Sequence, residues 1–178
     1  MVQVKGMFIT FTVRLMTLYK EAKQEISDFI KQKTGLDYND LDPTAWYPGE
    51  ILIKALEMYE QASPTGKRVY ITMGNQVYPI WKRNGLLPES LKTPLDYMKY
   101  EAEGFKESHI GPEVKQRKFI KMEDGHVIVE APAPGYSCKL FEGVWQGIFN
   151  MIGIKTAEIK QTQCVEEGDS TCIFDIKW

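Results

Sequence analysis

The sequence has little of the chemistry on which most enzymes depend. Its 178 residues include only two histidines and three cysteines. It contains neither a Gly-rich phosphate loop nor a Gly-x-Ser-x-Gly nucleophile elbow. Nothing in the spacing of the cysteines and histidines predicts a nucleophile and its base. The interpretation that we favour is therefore non-enzymatic.

The chain also lacks an excess of charge of either sign and has no long apolar run. The formal net charge is −2 and the Lys and Arg residues are scattered, which argues against a nucleic-acid-binding surface. No apolar run approaches the roughly 18 residues of a membrane span, and the start of the chain lacks a signal-peptide layout. We expect a cytoplasmic protein. With 43% apolar residues, the chain predicts one domain over 1–178 with a substantial core.

The spacing of apolar residues predicts an α+β fold in which helices pack on an antiparallel sheet. The β-rich start over 1–13 predicts a strand, and helical spacing follows over 15–30, 51–59 and 67–81. Pro94 is typical of the first residue of a fourth helix. Asp124-Gly125 predicts the turn of a hairpin over 114–131. A helix from Leu140 to Ile152 then precedes a terminal hairpin that ends at Trp178.

The fourth predicted helix carries an apolar stripe at steps of three and four residues, which runs Leu95, Met98, Ala102, Phe105, His109. A histidine at such a position is usually a core residue with its hydrogen bonds satisfied. The alternative is an axial ligand to a haem iron in a helical pocket. Both interpretations of His109 remain open from the sequence.

All three cysteines lie in the last part of the chain. Cys138 opens the predicted C-terminal helix, while Cys164 and Cys172 flank the turn of the terminal hairpin. Positions so placed across a hairpin have Cβ atoms about 4.5–8 Å apart. Free cysteines are often small buried hydrophobes. Neighbouring thiolates with one further donor are, however, what tetrahedral zinc requires.

The stretch GYSCKLFEGVWQG followed by QCVEEGDSTCIFDIKW resembles the C-terminal half of the 4-vinyl-reductase-type ligand-binding domain. Phenol-sensing transcription activators carry a version of that domain in which three Cys and one Glu hold zinc. The cysteine spacing here is similar, from 138 to 164 and from 164 to 172. The resemblance implies a closed, structural zinc site at Cys138, Cys164 and Cys172. The fourth ligand would be Glu101, which we prefer, or Glu103.

The N-terminal half resembles the haem-nitric-oxide-binding (H-NOX) domain, in VKGMFITFTVRLMTLY and MGNQVYPIWKRNGLLP. Where that family has its proximal histidine, this chain has Phe105. The family's Tyr-x-Ser-x-Arg propionate motif is matched only by Gly135, Ser137 and Lys139. These departures argue against a five-coordinate ferrous haem.

Together these observations predict a sensor or carrier domain for an apolar, aromatic or tetrapyrrole-like small molecule. His109, Phe105 and Trp145 are the residues that we assign to its pocket, because aromatic side chains line most such sites. The alternatives are a haem protein and an enzyme of tetrapyrrole metabolism. The resemblance also implies a homodimer that associates through the N-terminal strand and the helix from Leu15 to Ile30.

Overall fold

The computed structural model describes every residue from Met1 to Trp178 and has the predicted α+β architecture. The chain forms two compact units. The first comprises Met1–Val69, Ser108–Val114 and Pro134–Tyr136, and the second Tyr70–Glu107, Lys115–Ala133 and Ser137–Trp178. The single domain over 1–178 stays a prediction. None of the helices combines the length and the apolar character needed to cross a membrane.

The first unit packs three helices with a small antiparallel sheet. The helices are α1 (Gly6–Leu15), α2 (Lys20–Thr34) and α3 (Gly49–Ala62). The sheet has the order β2-β1-β3, with β1 at Gln3–Lys5, β2 at Trp46–Pro48 and β3 at His109–Ile110. Apolar side chains that recur at helical spacing form its core, including Ile9, Val13, Ile26, Ile30, Ile51, Ala55 and Leu56.

The predicted strand over 1–13 is wrong beyond Lys5, because α1 begins at Gly6. The stretch is rich in β-branched residues, but its buried positions Ile9, Thr12, Val13 and Met16 follow helical spacing. Gly6 packs so closely on the chain that an added Cβ would lie 2.3 Å from the carbonyl oxygen of Asp42. Tertiary packing therefore overrides the local preference of these residues for strand.

The second unit packs three helices with a four-stranded antiparallel sheet of order β4-β5-β7-β6. The strands are β4 (Lys118–Glu123), β5 (His126–Glu130), β6 (Glu158–Gln163) and β7 (Ile173–Lys177). The helices are α4 (Arg68–Arg83, from Tyr70 onwards), α5 (Pro94–Ser108, up to Glu107) and α6 (Lys139–Met151). The predicted hairpin at Asp124-Gly125 and the C-terminal helix before a terminal hairpin are thus both present.

Strand alternation gives the sheet one buried face. Val127 and Val129 on β5 and Phe174 and Ile176 on β7 are at most 1% exposed. The ring of Trp145 on α6 packs edge-on against Phe174, with centroids 4.8 Å apart. Hence α6 covers the buried face of the sheet, which is the packing that a period-two strand and a wide apolar helix face predict.

Three glycines bring the backbones of α4 and α6 into contact. A Cβ added at Gly143 would lie 2.2 Å from the carbonyl oxygen of Ile71, and one at Gly147 would lie 2.5 Å from that of Asn75. On the facing helix, a Cβ at Gly74 would lie 2.2 Å from the carbonyl oxygen of Leu140. No other residue type fits at these three positions without moving a helix.

His109 does not continue the helix that carries Phe105. The helix α5 ends at Ser108, and His109 begins β3, where it pairs with Val4 of β1. Gly111 at φ 142° and Pro112 follow directly, and a residue before proline is disfavoured in the helical conformation. The predicted stripe is therefore correct as far as Phe105 and wrong at His109.

Candidate functional site

The three cysteines form one buried cluster in the second unit. Their Sγ atoms all lie within 4.8 Å of one another, and those of Cys138 and Cys164 are 3.5 Å apart. All three are free thiols and at most 6% exposed. Tetrahedral zinc, with Zn–S bonds of about 2.3 Å, keeps its sulfur ligands about 3.8 Å apart. The cluster thus has nearly the spacing of three zinc ligands.

Local backbone structure positions each thiol. Cys138 is the N-cap residue of α6, as predicted. Cys164 and Cys172 lie just outside the β6–β7 ladder, which ends at Gln163 and Ile173, and not within its strands. In the loop that joins them, the Cys164 amide donates to the carboxylate of Asp169 at 2.8 Å. The carbonyl of Cys172 accepts from the Ala131 amide at 2.9 Å, beyond the end of β5.

Burial favours the protonated form of two of the three thiols. It raises the pKa of the Cys138 thiol far above its usual value, and the pKa of the Cys172 thiol is also raised, again chiefly by burial. The amide of Gln161 donates to Cys138 Sγ at 2.9 Å, which opposes that rise because it favours the thiolate. A carboxylate oxygen of Glu166 lies 4.0 Å from the same sulfur.

The structure does not bring Glu101 or Glu103 to the thiols, contrary to the predicted ligand set. Neither belongs to the cluster of metal-ligand atoms. Glu103 is exposed and lies 3.7 Å from the ammonium of Lys106. Glu101 points inward as its place beside the apolar stripe suggested, but there its carboxylate binds Arg117 at 3.0 Å. A carboxylate that does lie beside a thiol, 4.0 Å from Cys138 Sγ, is that of Glu166 in the 3₁₀ turn Val165–Glu167.

Arg117 and Glu101 form a buried ion pair that the sequence analysis missed. The Arg117 side chain has no exposed surface, and its Nε and Nη2 both donate to the Glu101 carboxylate. Its Cζ lies 3.7 Å from the ring centroid of Phe105 and 3.8 Å from that of Phe141. Arg117 lies in the polar run KQRK, which is typical of an exposed loop and does not indicate a buried side chain.

Phe105 and Trp145, two of the predicted pocket residues, belong to one cluster of rings. Phe141 connects them, at 5.7 Å from Phe105 and 6.3 Å from Trp145 between centroids. Both are nearly fully buried. Their role in lining a ligand pocket stays a prediction.

His109, the third predicted pocket residue, is buried in the first unit. Its Nδ1 lies 2.9 Å from the Ser108 hydroxyl and its Nε2 lies 3.4 Å from the Tyr136 hydroxyl. The ring also packs against Phe8 at 5.4 Å. An iron ligand needs one ring nitrogen free, so His109 would have to give up one of these hydrogen bonds. Since Phe105 cannot ligate iron, the residues present do not fit a haem held by a histidine on α5.

Comparison with known proteins places the fold. No protein-family model matches the chain, and no curated protein matches its sequence. Among solved structures, it is similar to an H-NOX protein from Shewanella oneidensis in the Fe(II)NO state, with a TM-score of 0.67 and 14% identity over 97% of this chain and 98% of that one. An unliganded Fe(II) H-NOX protein from K. algicida gives 0.67 and 16% over 97% and 95%.

A third structure, the IWP-051-bound H-NOX from Shewanella woodyi, has a TM-score of 0.62 and 15% identity over 97% of this chain and 93% of that one. At such low identity these comparisons establish the fold. The class that they define is the H-NOX-like α+β fold, which confirms the resemblance seen in the N-terminal half. The label of a 4-vinyl-reductase-type domain stays a prediction.

Proposed function

We propose that this protein is a non-enzymatic small-molecule-binding sensor domain built on the H-NOX fold. The observation that carries the proposal is the extent of the similarity, which covers 97% of this chain and at least 93% of each of the three neighbours described. A fold alone does not assign an activity. The resemblance of the cysteine pattern to 4-vinyl-reductase-type domains supports the same class of function.

The ligand that we propose is an apolar or aromatic small molecule. Ligands that bind only the native state raise the melting temperature by mass action. We expect hits in a thermal-shift screen that includes phenols, aromatic ketones, apolar hydrocarbons and porphyrins. A screen without any hit would contradict the sensor function.

We further propose that Cys138, Cys164 and Cys172 hold one structural zinc ion, with Glu166 as the fourth ligand. The motivating observation is the spacing of the three sulfurs, together with the Glu166 carboxylate beside Cys138. Four protein ligands leave no open position for catalysis. Free thiols of this kind persist in a reducing compartment, in agreement with the cytoplasmic location that we propose.

Elemental analysis of the purified protein tests the zinc site. We expect about one zinc per chain, since closed structural sites of this kind bind zinc tightly at neutral pH. Because zinc binds thiolates and burial raises the pKa of the Cys138 and Cys172 thiols, zinc uptake should release protons. The affinity should accordingly fall between about pH 8 and about pH 6. Less than about 0.1 zinc per chain, with unchanged folding in chelator, would contradict the site.

Haem is the second candidate ligand, and the fold favours it, since the neighbours include H-NOX proteins in Fe(II) and Fe(II)NO states. The only buried histidine is His109. A Soret band after addition of hemin, lost in His109→Ala and kept in His126→Ala, would support haem. The control His126 is only partly buried and bonds to Asp175 at 2.8 Å. No Soret band with the parent protein would exclude haem and leave the wider proposal intact.

We also propose a homodimer, with a contact that differs in part from the one expected. Strand β1 pairs with β2 on one side and β3 on the other, so it has no free edge for a second copy. Leu18, by contrast, is 86% exposed beside a groove of about 550 Å³ formed by the start of α2 and the end of α3. Light scattering at tens of micromolar tests this proposal. A dimer that Leu18→Glu dissociates is the expected result, and a monomer would refute it.

A further inference from the structure

The guanidinium of Arg117 is paired along one edge only. Nε and Nη2 donate to Glu101, at 3.3 Å and 3.0 Å to Oε1, and Cζ lies 3.7 Å from the ring centroid of Phe105 and 3.8 Å from that of Phe141. The remaining nitrogen, Nη1, is buried and has no hydrogen-bond partner. Arginine carries two N–H donors on that nitrogen. Both are therefore available inside the second unit.

The second unit contains one further buried polar side-chain atom without a partner. The hydroxyl of Ser137 is buried and makes no hydrogen bond. Ser137 directly precedes Cys138, the N-cap residue of α6, and lies four positions before Phe141. Buried unpaired polar groups are rare in native proteins, and a charged donor is the costliest kind. Two of them, one against the ring of Phe141 and one four residues before it in the chain, require an explanation.

We propose that Arg117 Nη1 and the Ser137 hydroxyl are the polar anchors of the ligand site, and that the ligand presents an uncharged acceptor, such as a carbonyl oxygen, to Arg117. This inference rests on the small-molecule-binding function proposed above and specifies its ligand. A few convergent polar groups within apolar walls are the usual composition of such sites. Phe105 and Phe141 supply aromatic walls at this one.

The charges around Arg117 indicate why the acceptor is uncharged. The carboxylate of Glu101 already neutralises the guanidinium. Tyr78 is also close enough to be influenced by both charges, and burial and then Glu101 raise its pKa well above the usual value. A second anion would therefore enter a buried region in which negative charge is already disfavoured. A ketone, aldehyde or amide adds an acceptor without adding charge.

Three probes of similar size test the inference on the full chain. Acetophenone carries a carbonyl, isopropylbenzene has nearly the same shape without one, and benzoate carries a charge. Dissociation constants come from ligand-observed NMR titrations. We expect acetophenone to bind about tenfold more tightly than isopropylbenzene, since hydrogen bonds to charged groups contribute at least that factor. Benzoate should bind more weakly than acetophenone.

Two variants assign the preference to the named groups. Arg117→Lys keeps a cation beside Glu101 but removes Nη1, and it should abolish the preference for acetophenone while isopropylbenzene binding stays the same. Ser137→Ala removes a hydroxyl that has no partner, so the fold should keep its stability while acetophenone binding weakens. Ser90→Ala, at an exposed position, is the matched control. If Arg117→Lys fails to fold, Ser137→Ala decides.

The outcomes separate this inference from the function on which it rests. Equal binding of acetophenone and isopropylbenzene would overturn the inference and leave a small-molecule-binding domain. Tightest binding of benzoate would overturn the uncharged acceptor. Acetophenone binding that is unchanged in Ser137→Ala would remove Ser137 from the site. Binding of none of the probes would overturn the inference, and only the wider screen would then bear on the sensor function.

Discussion

The second unit contains two buried polar clusters that handle charge in opposite ways. In the Arg117 cluster the cation belongs to the chain, and Glu101 and two aromatic rings surround it. In the thiol cluster burial raises the pKa of Cys138 and Cys172, and the cation would have to come from solution. We therefore expect removal of one member to disrupt the first cluster, and addition of a metal ion to stabilise the second.

The largest effect is expected from breaking the ion pair. Arg117→Met leaves the Glu101 carboxylate buried without a cation, and we expect the free energy of unfolding to fall by about 3–5 kcal/mol. Adding Glu101→Leu to this variant should restore most of the lost free energy of unfolding, because apolar residues of similar volume often replace a buried pair at little cost. Urea unfolding of the parent, the single and the double variant measures both changes. A single variant as stable as the parent would show that the pair does not matter.

Removal of zinc is the corresponding change in the thiol cluster and is expected to be somewhat smaller. A chelator should lower the free energy of unfolding by about 2.7 kcal/mol relative to protein with free zinc at 100 times its dissociation constant. Cys172→Ser should bind no zinc and be insensitive to the chelator. Glu103→Ala, at an exposed side chain, should respond as the parent does.

Replacing each of the two glutamates by glutamine, in separate variants, distinguishes the two clusters directly. Glu166→Gln should weaken zinc binding by more than tenfold, because an amide is a poorer zinc ligand than a carboxylate. Glu101→Gln should leave the zinc affinity unchanged, since Glu101 binds Arg117. Competition with a chromogenic chelator gives both constants. The reverse pattern would restore Glu101 as the fourth ligand.

The smallest expected effect concerns the amide that donates to Cys138. Gln161→Leu removes this hydrogen bond, and groups that orient a metal ligand in this way are worth about 10-fold in affinity. Stability without zinc should change little, because Gln161 is only partly buried. An unchanged zinc affinity would mean that Gln161 has no part in positioning the thiol.

Local signals account for what the sequence predicted well. Pro94 marks the start of α5, Asp124-Gly125 marks the β4–β5 turn, and the spacing of the cysteines predicted their cluster. Each of these depends on residues a few positions apart or on a pattern with few interpretations. The Cys164–Cys172 loop differs in detail, since a 3₁₀ turn replaces the tight hairpin turn.

Contacts between distant segments account for the features that the sequence did not predict. The chain leaves the helix at His109 because β1, more than a hundred residues earlier, pairs with it. Glu101 and Arg117 meet only through the packing of α5 with the start of β4, so the polar sequence around Arg117 resembled an exposed loop. Phe105 was correctly placed on an inward stripe, yet the stripe gave no information about the cation against its face.

The glycine contact between α4 and α6 has a mechanical consequence. With no side chains between the two backbones at Gly74, Gly143 and Gly147, neither helix can slide or roll over the other without a collision of main-chain atoms. We therefore expect the two helices to move together. Because α6 is capped by Cys138, a displacement of α4 should then also move a thiol that lies more than two helical turns from the last of these contacts.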